Sequence, residues 1–102
     1  MYIRLLSFQT NGNKKTEVAT IMDDIMPKIR SQNGCKDCKF MMHESDDHYA
    51  PLVFWESKKQ ADTAAEIIGP QLLPALNRIT KENLTQRLYE EYEPEAVLVY
   101  NE

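Results

Sequence analysis

Tyr49-Ala50-Pro51-Leu52-Val53-Phe54-Trp55, running into Glu56-Ser57-Lys58-Lys59-Gln60, is the stretch whose reading decides the fold. Its first part is rich in β-formers and apolar on both surfaces. Leu52 and Phe54 fall on one side, Val53 and Trp55 on the other. Ser57 and Gln60 then stand at capping-box spacing and open a helix over Ala61, Ala64, Ala65 and Ile68. The reading is a strand of residues 49–56 turning directly into a helix that lies back on it.

Outward toward the N-terminus, residues 39–45 read as a partner strand, joined through the turn Ser45-Asp46-Asp47-His48. Before it, Val18, Ile21, Met22, Ile25, Met26 and Ile29 make one helical stripe over residues 16–32. Thr16 is the expected N-cap, Asn33-Gly34 the expected stop, and Pro27 lies inside the helix. Residues 2–9 read as a first strand closed by Thr10-Asn11-Gly12-Asn13. Toward the C-terminus, Gly69-Pro70 is expected to break the second helix. Leu72, Leu73, Leu76 and Ile79 would continue it as a shorter piece restarted at Pro74. Residues 84–92 read as a further strand before Pro94, and residues 96–100 as an appended apolar strand.

The order is β-α-β-β-α-β plus a terminal strand, an α+β, ferredoxin-like arrangement with an antiparallel sheet in one domain spanning 1–102. Two helices cover one face of such a sheet. The first strand, with Ile3 and Leu5 on one side and Tyr2, Leu6 and Phe8 on the other, again asks for cover on both. A homodimer packed sheet to sheet, with residues 96–100 at the interface, meets that demand. A monomer whose terminal strand folds back over its own sheet is the alternative.

The 102 residues are 42% apolar and 27% charged, near globular averages, which argues against disorder or a fibrous repeat. A net charge of −4 disfavours nucleic acid and anionic membrane surfaces as partners. The N-terminus, Met1 to Leu6, lacks the features of a secretory signal, and no apolar run is long enough to span a bilayer. The expectation is a cytoplasmic protein with Cys35 and Cys38 reduced.

Cys35, Cys38, His43 and His48 have the spacing of a zinc knuckle. The stretch between Cys38 and His43 is strand-like, however, and would separate the two by about 16 Å on opposite faces. No metal site is therefore expected, and the cysteines read as packing residues at the end of the first helix. Trp55, at the end of the most apolar strand and beneath the second helix, could line a cavity. A plain core tryptophan reads the same way in composition. Phe40, Met41, Val53, Leu72, Leu73 and Leu76 are the candidate lining for a flat apolar ligand. His43 is the candidate base, and Arg87 or Tyr89 the candidate stabiliser of an oxyanion.

Gly34-Cys35 ending the first helix, Tyr49 to Trp55 running into Glu56-Ser57, and Leu72-Leu73-Pro74 form a pattern with the closing strand before Pro94. Across residues 2–94 that pattern resembles the antibiotic biosynthesis monooxygenase-like (ABM) family of dimeric α+β barrels. The resemblance implies a homodimer and a cofactor-independent monooxygenase. Such enzymes act with O2 on a small aromatic or quinol-type molecule, with neither metal nor flavin. It places Trp55 where the family has a tryptophan facing the substrate cavity. Pro51 stands where an asparagine is often found. The haem-degrading branch uses a histidine on the second helix, and residues 58–79 contain none. A non-catalytic module binding a small ligand or a protein is the alternative of the same fold.

Overall fold

The computed structural model of the chain describes residues 1–43, 45–82 and 84–92. The elements are β1 (Tyr2–Gln9), α1 (Lys15–Arg30), β2 (Cys35–His43), β3 (His48–Trp55), α2 (Lys58–Asn77) and β4 (Thr85–Glu90). All neighbouring strands are antiparallel, in the order β2-β3-β1-β4. This is the expected α+β, ferredoxin-like arrangement. Residues 96–100, expected as a terminal strand, and Pro94 lie outside the described residues. No described helix is long and apolar enough to cross a membrane.

Both helices lie on one face of the sheet. β3 alternates strictly, with Tyr49, Pro51, Val53 and Trp55 buried beneath the helices. Leu6 and Phe8 of β1 join them, as does Cys38 of β2. Val18, Met22, Ile25 and Ile29 carry the α1 stripe, and Ala61, Ala64, Ile68, Leu72 and Leu76 that of α2. An aromatic stack closes one end of the core. Tyr49 lies between Phe8 and Phe40, with ring centroids 5.5 and 5.8 Å away.

Among the described residues, the opposite face carries no helix. Register places Ile3 opposite Phe54 and Tyr89, and Leu5 opposite Leu52 and Arg87. Ile3, Leu5, Leu52 and Phe54 are half-buried there, with the Lys39 ammonium 6.0 Å from the Phe54 ring centroid. Apolar residues do occupy both sides of β1 and β3, as their sequences require.

Two local expectations are corrected. The first helix begins before Thr16. Its N-cap is Lys14, with no side-chain cap, and Val18 N–H donates to the Lys14 carbonyl at 2.9 Å. Asn13, at φ 63°, turns the chain so that the N-cap falls two residues earlier than the Thr16 signal suggested. The second helix is not broken at Gly69-Pro70 or restarted at Pro74, because α2 is continuous from Lys58 to Asn77. Pro70 and Pro74 both lie on its exposed side, so the carbonyls they leave unbonded, of Glu66 and Pro70, can bond water. On the other side, Ala61, Ala64, Ile68, Leu72 and Leu76 continue past both prolines at three- and four-residue steps. Packing that face holds the helix together. The Ser57 cap is as expected, its Oγ accepting from Gln60 N–H at 3.2 Å.

Gly34 links α1 to β2 at φ 86°, a left-handed conformation costly for any side chain. A Cβ there would run into the Gln60 side chain. Gly34→Ala should therefore lower stability by about 2 kcal/mol or more in urea unfolding. Gly69→Ala, in a helix interior with Leu73 Cδ1 at 3.8 Å from the added carbon, should instead be neutral or stabilising by about 0.5–1 kcal/mol.

Burial, with a smaller contribution from Cys35, pushes the Cys38 thiol up from 9.0 to about 11. The folded chain thus holds this proton more tightly than the unfolded chain. Native stability is fully present below pH 9 and declines as pH rises toward 11, by roughly 1–3 kcal/mol. Denaturant midpoints at pH 8 and pH 10.5 should show this loss, and Cys38→Ala should flatten it.

Candidate functional site

A cavity of about 110 Å³ lies between α2 and the helix-covered face of β1 and β3. Its origin is side-chain size. Ala61, Ala64, Ala65 and Gly69 stand on the wall contributed by α2, where larger residues would fill the space. Ile68, Leu72 and Leu73 complete that wall, and Ile29 of α1 contributes at its edge. The floor is Leu6 of β1 with Pro51, Val53 and Trp55 of β3.

The wall is apolar except at three places. Trp55 is 3% exposed and its Nε1–H has no acceptor among the described residues. A buried indole N–H normally has a partner. The other orphaned buried side-chain atom, Thr10 Oγ1, does not line the cavity. The second polar group is Arg4, on the helix-covered side of β1 between Ile3 and Leu5. Its Nη2 donates to Asp62 Oδ1 at 3.1 Å, and Lys58 Nζ donates to Asp62 Oδ2 at 2.8 Å. The Lys58 ammonium holds the Asp62 carboxyl below its ordinary range against the opposing effect of burial, with a smaller contribution from Arg4. Gln86 of β4 is the third.

Among the residues singled out from the sequence, Trp55, Val53, Leu72 and Leu73 line this cavity together. The others lie elsewhere. Leu76 is fully buried in the core, and Phe40 belongs to the stack on Tyr49. Met41, 45% exposed, pairs with Ala50 on the helix-free face. Arg87 and Tyr89 occupy that same face opposite Leu5 and Ile3, because one step along a strand changes side. It is Gln86 that faces the cavity from β4. His43 sits at the hairpin end with its Nδ1 3.1 Å from Asp46 Oδ1 and 3.0 Å from Ser45 Oγ, exposed and outside the cavity.

Arg4 and Gln86 are cavity residues that sequence reasoning missed. A charged residue inside an apolar strand was the available signal for Arg4. Gln86 had none, since its role depends on the register of β4 against β1.

Cys38 lies on the helix-covered face opposite Val53, whereas His43 lies opposite His48 on the other. No three His, Cys, Asp or Glu side chains among the described residues come together as a metal site would require. His48 Nε2 is 2.8 Å from Ser7 Oγ on the helix-free face, without a carboxylate partner among the described residues. A more polar hollow of about 390 Å³ lies over Gln32, Lys59 and Thr63, with no orphaned buried group.

No protein-family model and no curated protein sequence matches the chain. Solved structures do. A structure named as an antibiotic biosynthesis monooxygenase superposes with a TM-score of 0.80 at 15% identity, over 91% of this chain and 100% of its own. A protein from Deinococcus radiodurans provisionally given the same name matches at 0.80 and 18%, over 92% of this chain and 95% of its own. One from Nitrosomonas europaea, named in the same provisional way, matches at 0.81 and 10%, over 91% and 100%. At such identities the likeness speaks for backbone architecture, so the chain has the fold of the antibiotic biosynthesis monooxygenase structures.

Proposed function

We propose that this protein is a monooxygenase that takes a compact, electron-rich aromatic or quinol-type molecule into the cavity beneath α2 and oxidises it with O2. The observation that carries the reading is the Trp55 Nε1–H, buried without an acceptor among the described residues in a mostly apolar wall. A donor buried without an acceptor stabilises a ligand that brings one. The fold shared with structures named as monooxygenases supports the choice of reaction.

The volume of about 110 Å³ suits a single ring, since an apolar cavity of about 150 Å³ accepts benzene. The reaction draws its electrons from the substrate. Loss of a proton leaves a phenolate or enolate, which gives one electron to O2. The resulting radical pair combines into a carbon-bound peroxide at a ring carbon that keeps its one hydrogen. Loss of water then leaves a carbonyl, so that a ring C–H, the ionised O–H and O2 become two C=O groups and H2O. The protein's share is to orient the ring, keep water from it and donate a hydrogen bond to its developing oxyanion through Trp55. His43, Arg87 and Tyr89 have no part in this version, because they stand on other surfaces.

The same reading includes a homodimer. Ile3, Leu5, Leu52 and Phe54 form an apolar strip flanked by exposed Met41 and Tyr89 on a face without a helix. A second copy laid sheet to sheet would cover it.

Oxygen uptake with a panel of compact quinols should reveal turnover, and Trp55→Phe should lower kcat/KM about 3- to 10-fold through the lost donor. Unchanged turnover in that variant would overturn the site. Ligand protection without oxygen uptake would leave a binding module instead. Sedimentation at micromolar concentration should give twice the 11.9 kDa chain mass, and Leu52→Lys should reduce it to single chains.

A further inference from the structure

We infer that the cavity selects anions, and that Arg4 is the group that recognises them. This deepens the proposed reading of the cavity and rests on it. Arg4 is the only charged side chain on the wall among the described residues. Its side chain is 20% exposed, so its charge is partly withdrawn from water, where an opposite charge attracts it more strongly than at the surface.

The charge count around it is unbalanced. Arg4 and Lys58 share one carboxylate, that of Asp62, each taking a different oxygen. Two cations on one anion leave a surplus positive charge beside the cavity, in a chain whose net charge is −4. Among the described residues the guanidinium makes one hydrogen bond, leaving most of its five N–H donors free. The Trp55 indole can also only donate. A ligand with an apolar body and a negatively charged oxygen would complete both. Carboxylates, phenolates and enolates meet that description, and neutral arenes do not. Asp62, 46% exposed, can give up its hold on Arg4 at small cost because exposed pairs are weak.

Benzoate and benzamide share shape and differ in charge, and Trp55 is the only tryptophan, so its fluorescence reports on this cavity alone. The wild-type protein should bind benzoate at least about 10-fold more tightly than benzamide, with the difference shrinking as salt rises. Arg4→Gln should abolish the preference by weakening benzoate far more than benzamide, and Asp62→Asn should enlarge it. Equal affinity of the two probes for the wild-type protein would overturn the inference. So would a preference that survives in Arg4→Gln. If Arg4→Gln does not fold, an Asp62→Asn preference no larger than the wild type's would overturn it too. If neither probe changes the fluorescence or the melting temperature, the cavity itself is refuted as a ligand site, a different failure from binding without charge preference.

Discussion

The contact on which the rest of the molecule depends is the docking of α2 on the helix-covered face of β3. Ser57 ends the short connection from Trp55 and caps the helix at once, so the chain reverses over its own strand. From there Ala61, Ala64, Ile68, Leu72 and Leu76 press on Val53, Trp55 and their neighbours. The near half of this seam is made of alanine and the far half of leucine and isoleucine. The alanines leave room that the larger residues beyond them do not, and the cavity opens over Ala61, Ala64 and Ala65, is bounded by Ile68, Leu72 and Leu73, and ends before Leu76.

This arrangement also explains where the polar groups fall. A cation in a central strand is costly unless something compensates it. Arg4 finds Asp62 because the start of α2 crosses above β1, and Lys58 meets the same carboxylate from one turn earlier. Trp55 ends its strand in the same region and finds no acceptor. An apolar pocket in which a buried indole N–H meets no acceptor among the described residues is chemically incomplete, which sets it apart from an ordinary packing defect. The helix-free face is incomplete in another way. Among the described residues, its Ile3, Leu5, Leu52 and Phe54 are shielded from water by their neighbours in the sheet alone.

The order of elements, the antiparallel sheet and the stripe on α1 were legible in the sequence because each rests on periodicity within one segment. Apolar residues on both sides of β1 and β3 were legible for the same reason, as was the Ser57 cap. Trp55, Val53, Leu72 and Leu73 come together because a strand end and a helix face meet wherever a strand runs directly into the helix covering it. Thr16 misled because the turn before it depends on Asn13 in a left-handed conformation. Gly69, Pro70 and Pro74 misled because a breaker acts on the local hydrogen bonds, whereas the buried stripe passing them acts over the whole helix.

What the sequence determined by itself is therefore whatever a single segment can express: which pieces are strands and helices, and which of their surfaces are greasy. Tertiary structure alone decided which side chains meet. Register put Gln86 rather than Arg87 at the cavity, the hairpin carried His43 away from it, and the crossing of α2 over β1 brought Asp62 to Arg4. The Arg4–Asp62 contact joins residues 58 positions apart and the Leu6–Gln86 pairing residues 80 apart, and one step of strand register would exchange Gln86 for its neighbour on the other face.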